Sequence, residues 1–550
     1  MAAPTGTTHS ARNQPEPLVR YDVFTSDAAL SEAVTRHLPE EHLAQARREL
    51  SELGRSAGSA RAQRWGRLAG QHPPRLLTHD RTGDRLDEVE YHPAYHRLLG
   101  HAVSAGLTDA WSRPGGHVRR TAGLLVWSQA EAGHCAALST THAVVPALRT
   151  EPAVAREWEP ALLAHLYVQE LLPIARKSGV LAGVAVTERQ GGGARGVATH
   201  AEPLAGGGEY LLTGHKWFCT APMSDAFLVL ARAPGGPTAF WVPRVLADGS
   251  RNALRLERLK EQLGSRAEAV AEVSFDGSAW ARRIGEEGRG AEVLAPAAAQ
   301  VRLDCVTGAA ATMRQAVAVA VHHCHGRAAG DGTLADRPLM RGVLADLALE
   351  SEAATVLALR LAAAQDAGTE AERAFARIAV PAAKYWVTRR CTPLVGEALE
   401  CLGGDGYVEE FALARLLRGS PLPAVAAGAG NVQALEVVRL LREEPACLDA
   451  LLTEIGATRG IDHRLDAAAR GLLGELAELA DGQSRARRVV ERLALVLQAS
   501  LLVRYAPAEV SDAFCAGRLG VEAGAAFGTL PQTLDLSALV ARARVAEWGR

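Results

Sequence analysis

The sequence predicts an α+β fold that is mostly α: a helical domain, a central β barrel or sandwich, a helical-bundle domain and an extra C-terminal helical domain. Three observations predict it. Apolar residues recur at three- and four-residue spacing from about 41 to 180 and again from about 291 onward, the period of an amphipathic helix. Between those stretches lie short runs rich in Val, Leu and Phe, separated by glycine-rich turns, which is strand texture. The chain has 550 residues, more than one compact core holds, since domains usually run to about 100–200.

Residues 1–180 form the N-terminal arm and helical domain. The first 40 residues are mixed and contain proline, the composition of an arm that packs on something else. Windows such as AQARRELSELGR and GLLVWSQAEAGHCAALSTTHAVVPAL then carry the helical period. Residues 181–290 form the β domain, with LAGVAVT, GEYLLTG, AFLVLAR, TAFWVPR and EAVAEVSF as its strands. Such closely spaced short strands predict an antiparallel barrel or sandwich between helical units. Residues 291–440 make the bundle domain, and 441–550 the last helical domain, through LDAAARGLLGELAELAD and RRVVERLALVLQASLLVRYA.

Composition excludes several classes of function. Sixty Lys and Arg against 62 Asp and Glu give no chain-wide basic field for nucleic acid and no acidic disordered character. Only Lys177, Lys216, Lys260 and Lys384 are lysines, and the arginine excess is spread evenly, as codon bias would spread it. The eight cysteines include no CxxC pair, which argues against a disulfide scaffold or structural zinc. No signal-peptide pattern and no run of about 18 apolar residues is present, so a cytoplasmic protein without a membrane partner is expected.

Five ordered segments carry a resemblance: GVAVTERQGG (183–192), GHKWFCTAPMSDAFLVLA (214–231), RLERLKEQLGSR (255–266), EALECLGGDGYVEE (397–410) and AGAGN (427–431). Together they resemble the acyl-CoA dehydrogenase superfamily. NQPEPL near the start, HPAYH at 92–96, RNALRLERLK at 251–260 and RPLMRGVL at 337–344 narrow it to the AidB-like, adaptive-response branch. The resemblance covers nearly the whole chain. It implies the four-domain fold, a homotetramer built as a dimer of dimers, and FAD between the β domain and the bundle.

It also implies site residues. Thr187, with Gln190, Gly191 and Gly193 in the loop that follows, would face the pyrimidine side of the flavin. Trp217 would lie against the ring face, with Cys219 and Thr220 passing near N5. Arg327 and the Gly403–Gly404–Asp405–Gly406 loop would meet the adenosine diphosphate part of a partner subunit's cofactor. Gly428, Gly430 and Asn431 would sit at a helix start near the pyrophosphate, where unpaired N–H groups favour an anion. Taken singly these residues also read as a turn, a core tryptophan and a strand threonine; their joint order points to a cofactor.

The departures bear on chemistry. Members of the family remove an α proton from an acyl thioester with a carboxylate while hydride leaves the β carbon, so the base must reach that proton. The usual Glu position is Ala427, and the isovaleryl-type position, just before an Arg, is Val301. Asp304, two residues beyond Arg302, would point elsewhere on a helix and is a poor candidate base. The family's R-x-x-F-G run has Gly330 and Asp331 in its Phe and Gly positions, and its Gly-Ser-Asp reads Gly192–Gly193–Ala194. Each lost hydrogen bond costs about 0.5–1.5 kcal/mol, so weakly held FAD is expected.

The function expected is an FAD-dependent oxidoreductase of this superfamily, acting on an acyl thioester or similar small molecule but not as an ordinary α,β-dehydrogenase. A flavin monooxygenase on the same fold, and a non-catalytic scaffold or DNA-associated alkylation-response protein, remain as alternatives. His322, His323, Cys324 and His325 do not share a helix face with enough ligands for a metal. Residues 441–550 hold 13 Arg against 15 Asp and Glu, and the small cluster Arg485, Arg487, Arg488 and Arg492 reads as a solvated face, which argues against DNA binding.

Overall fold

The computed structural model describes residues 12–193, 196–477, 483–521 and 524–546. The N-terminal block holds helices α1 (Ala28–His37), α2 (Glu40–Ala57), α3 (Ala60–Gln71), α4 (Pro93–Ser104), α5 (Gly116–Trp127), α6 (Cys135–Leu148) and α7 (Pro152–Leu162). A hairpin of β1 (Arg75–His79) and β2 (Arg85–Glu90) interrupts them. The helical period of the neighbouring windows does not announce it. Its Asp87 carboxylate accepts from the backbone N–H of Leu256 at 3.0 Å, which pins the hairpin to the β domain.

That domain comprises β3 (Ala182–Ala185), β4 (His200–Pro203), β5 (Glu209–Thr220), β6 (Ala226–Ala233), β7 (Gly236–Pro243), β8 (Leu254–Leu259) and β9 (Val270–Ile284). Pairings β6–β7, β7–β9, β9–β5, β5–β4 and β4–β6 close a ring, with β3 added on β6 and β8 on β9. The expected antiparallel barrel is therefore mixed, because β3–β6 and β4–β6 run parallel. Strand β6 is buried on both faces. Phe227 and Val229 join the core shared with the helices, while Leu228 and Leu230 pack with Trp158 and Leu148 on the other side. Burial on both faces is why its sequence is a nearly unbroken apolar run.

The bundle is built on α8 (Gly290–Gly326), α9 (Pro338–Ala367) and α10 (Glu370–Glu400). Helix α8 is buried along most of its length between α6 on one side and α9 and α10 on the other. A short ladder, β10 (Ala328–Ala329) and β11 (Gly332–Thr333), follows α8. The chain then continues through α11 (Ala412–Gly419), α12 (Leu422–Val425), α13 (Gly430–Glu443), α14 (Pro445–Gly456), α15 (His463–Ala477), α16 (Ala486–Tyr505), α17 (Ala508–Phe514) and α18 (Leu536–Ala543).

Buried and half-buried arginines dock these last helices. Glu454 of α14 accepts from Arg360 and Arg504 at 2.8 Å each, and Arg518 reaches Asp346 and Glu350 of α9. Many of the evenly scattered arginines thus carry structural ion pairs. Among the described residues no helix is long and apolar enough to cross a membrane.

Candidate functional site

A cleft of about 2540 Å³ opens where the barrel, α5–α6 and the bundle meet. That exceeds the roughly 300–1,000 Å³ of an ordinary small-molecule pocket, leaving room for a dinucleotide and a second ligand together.

On the barrel wall, Thr187, Gly192, Gly193, Phe218 and Thr220 line the cleft. A Cβ added at Gly192 would meet Thr187 Oγ1 at 3.1 Å, so the bare backbone there keeps the threonine hydroxyl clear. Gln190 and Gly191 lie outside the cleft, and the Gln190 amide is spent on Glu188 and on the carbonyl of Gly196. Ala194 lies outside the described residues.

Trp217 is not on the cleft wall. Its ring carries Lys260 Nζ 3.2 Å from its centroid, with Arg189 and Arg258 close by. The cause is a β-bulge between Lys216 and Cys219. The extra residue lets both flanking side chains point into the barrel, where Lys216 meets Glu188 at 2.7 Å and burial pushes the Cys219 thiol up to about 12. Trp217 and Phe218 are both left outside, and Phe218, 49% exposed, is the aromatic that faces the cleft. Strict alternation along the strand could not reveal this.

On the bundle side, Val301, Arg302, Ala427 and Gly428 line the cleft. Arg302 Nε donates to the carbonyl of Ala427 at 3.2 Å. Ala427 and Gly428 both have positive φ, at 52° and 98°, and Lys384 Nζ donates to the Gly428 carbonyl at 2.7 Å. Asp304 is committed elsewhere. Its two oxygens receive Arg120 Nη1 and Nη2 at 2.7 Å each in a buried bidentate pair, so it has no free role as a base. Gly430 is pressed by Arg389, whose Nη2 would lie 2.3 Å from an added Cβ. Asn431 turns away and accepts from Arg487 Nε at 2.8 Å.

The remaining expected residues form a second patch. Arg327 Nη1 donates to the carbonyl of Asn13 at 2.6 Å and to Gln14 Oε1 at 2.9 Å, and Gln14 Nε2 donates to Asp405 at 2.8 Å. Gly403 and Gly404 have nothing within 4 Å of an added Cβ, whereas at Gly406 the Leu399 carbonyl leaves no space. Asp331 faces solvent and its charge is paired with Arg337 at 2.8 Å. Arg327 caps α8 roughly 37 Å along the helix from Arg302 at 1.5 Å rise per residue, and the cleft follows α8 as far as His323.

Carboxylates that sequence reasoning did not single out also line the cleft, among them Glu131, Glu268 and Glu436. Glu436 is bound by Arg439 at 2.9 Å. Glu131 accepts from Gly133 N, His134 N and His134 Nδ1 at 2.6, 3.0 and 3.1 Å. Burial works against a charge on His134, yet Cys135 and Glu131 outweigh it and hold that imidazole up at about 10. Among the described residues no cation pairs with Glu268; burial, and then the charge of Glu131, push it up to about 8. No periodicity or short motif signals these three, because tertiary contacts bring them to the cleft.

Residues 13–169 match the AidB adaptive response protein N-terminal domain, 183–278 the acyl-CoA dehydrogenase middle domain, and 288–441 the acyl-CoA dehydrogenase C-terminal domain. The chain is 39% identical over 525 residues to the putative acyl-CoA dehydrogenase AidB of Escherichia coli K12, covering 94% of this chain and 95% of that protein. The chain belongs to the acyl-CoA dehydrogenase family, in its AidB-like branch. Caenorhabditis elegans ACDH-11, solved in complex with C11-CoA, superposes with a TM-score of 0.84 over 95% of each chain at 22% identity. An acyl-CoA dehydrogenase from Bacillus anthracis complexed with FAD gives 0.61 over 77% of this chain and 80% of that one at 17% identity.

The residues present fit FAD. The cleft has the size, and two threonines and an aromatic line its barrel wall, where the bare backbone at Gly192 keeps the Thr187 hydroxyl clear. Among the described residues, no three His, Cys, Asp or Glu side chains come together as a metal site. Arg488 and Arg492 share Glu475 at 3.0 and 2.5 Å, which offsets part of the charge in the C-terminal arginine cluster.

Proposed function

We propose that this chain is an FAD-dependent oxidoreductase whose cleft admits an acyl thioester, and that it does not perform ordinary α,β-dehydrogenation. One observation carries the reading: Val301 and Ala427, the two family positions for the base, share the cleft with the flavin wall of Thr187, Phe218 and Thr220, and neither is acidic. FAD, when bound, supplies a hydride acceptor. Thr187 and Thr220 would hold it from the barrel side and Phe218 would cover it, while Arg302 fixes the Ala427 backbone opposite.

The second patch supports assembly from copies of the chain as a dimer of dimers. Arg327, Gly403 and Gly404 are not among the residues that line the cleft, and the exposed Gly403–Gly404 backbone suits the adenosine end of a neighbour's cofactor. The cofactor is held weakly, because Gly193 offers no hydroxyl and Gly430 and Asn431 are turned to other partners.

Reconstitution tests this. The purified protein mixed with FAD should show the visible flavin band and sediment as a tetramer, and anaerobic octanoyl-CoA should leave the band oxidised. Rapid bleaching with formation of the enoyl product would refute it. The lack of a carboxylate at either base position also favours a second reading, a flavin-dependent hydroxylase. Oxygen consumption with a reductase partner, coupled to product formation, would select that reading.

A further inference from the structure

Cys135 opens α6 and lines the cleft. The other seven cysteines are buried; Cys135 alone of the eight is partly exposed. Its Sγ lies 3.8 Å from His134 Nε2, and His134 Nδ1 lies 3.1 Å from Glu131. The thiol thus sits beside an imidazolium that a carboxylate orients, and it also lies 3.9 Å from the Glu131 carbonyl oxygen. The first turn of a helix adds partial positive charge beside the sulfur.

Two further groups point to a ligand at this end of the cleft. Ser139 follows Cys135 by one helical turn, on the same face of α6. It is 9% exposed and lines the cleft, and its hydroxyl has no hydrogen-bond partner among the described residues. Glu268, 8% exposed, also lines the cleft with its carboxyl unpaired among the described residues. Buried polar groups are ordinarily satisfied, so a hydroxyl and a carboxyl left open beside a thiol mark a place for a polar ligand group.

We propose that Cys135 is a nucleophile that takes the acyl group of a thioester bound in the cleft, with the His134 imidazolium as the acid for the departing thiol and Glu131 as a positioning residue. The thiol proton is lost to solvent beside the His134 imidazolium, and the sulfur attacks the thioester carbonyl, to whose oxygen the Ser139 hydroxyl is placed to donate. The bond to the departing thiol breaks, and that thiol leaves with the proton from His134. A new S–acyl bond replaces the old one with no change of oxidation state. This rests on the cleft admitting an acyl thioester, as proposed above, and is independent of FAD.

The test uses the full chain, incubated with octanoyl-CoA and followed by intact mass and peptide mapping. In parallel, iodoacetamide alkylation of Cys135 is measured with and without the unreactive thioether analogue of octanoyl-CoA. The expected result is a single octanoyl adduct on Cys135, absent in Cys135→Ser, with alkylation near neutral pH at least about tenfold faster than that of free glutathione. Should Cys135→Ser fail to fold, the peptide map of the unaltered chain decides alone. Protection by the analogue without an adduct would overturn the nucleophile and leave the thioester cleft standing. Neither protection nor adduct would overturn both, and an adduct on any other cysteine would also overturn the proposal.

Discussion

Arg302 Nε donates to the carbonyl oxygen of Ala427 at 3.2 Å, and this bond joins the two places where acyl-CoA dehydrogenases carry their base. One is Ala427 itself and the other is Val301, next to the arginine. Both side chains are apolar, so the α proton of a thioester held there would meet no acceptor from either position. The backbone at Ala427 already has a φ of 52°, a conformation most residues avoid, and Arg302 helps to hold it.

Restoring the carboxylate should therefore restore the family reaction. Ala427→Glu keeps a side chain at the same positive φ and aims it into the cleft. A positioned base contributes about 10²- to 10⁴-fold, so the variant should gain at least about 100-fold in octanoyl-CoA oxidation, read with an artificial electron acceptor. A variant that binds FAD and shows no gain would place the thioester somewhere other than beside residue 427.

The bulge between Lys216 and Cys219 makes a separate prediction. Phe218 faces the cleft and Trp217 does not, so Phe218→Ala should weaken FAD about 2- to 10-fold, matching the roughly 0.5–1.5 kcal/mol of an aromatic stacking contact. Trp217→Ala should leave FAD affinity unchanged while releasing Lys260. Fluorescence titration of FAD against the two variants distinguishes them, and the reverse order of effects would count against the assigned wall.

Much of the fold was legible because its signals are long and local. The windows around α2, α5, α6 and α16 repeat at the helical period, and the apolar run of β6 stands out between turns. The mixed barrel was less so, since the parallel β3–β6 and β4–β6 pairings depend on which strands meet. At the site, Thr187, Gly193, Thr220, Ala427 and Gly428 fall in one cleft as their order in the motifs suggested. Trp217 was misplaced by one extra residue that no pattern records. Asn431 is drawn away by Arg487, 56 positions along the chain, and Glu268 owes its buried place to packing against the α5–α6 turn. Long-range contacts of that kind leave no mark on local sequence.

Asp304 belongs to stability rather than chemistry. Its buried bidentate pair with Arg120 leaves a desolvated guanidinium behind if the carboxylate is removed. Breaking one side of a buried pair costs about 3–5 kcal/mol, so Asp304→Asn should lower the urea midpoint clearly while folded protein still binds FAD. Unchanged stability together with lost activity would instead make Asp304 a participant in the reaction.

Glu268 gives the stability a pH dependence whose sign can be worked out. An unfolded glutamate titrates near its ordinary 4.5, whereas burial and Glu131 raise the folded value to about 8. Between those values the folded state binds the extra proton, so unfolding releases it. The contribution is favourable when Glu268 is protonated, complete below about pH 4.5, and lost progressively as the pH rises to about 8. Glu268→Gln removes the charge at every pH. It should therefore be more stable than the unaltered chain at pH 9, by up to about 5 kcal/mol, and much closer to it at pH 5. Thermal melts of both proteins at the two pH values measure this directly. A Glu268→Gln chain no more stable at pH 9 than at pH 5, relative to its parent, would mean that the carboxylate finds a cation or water in the cleft and ionises freely there.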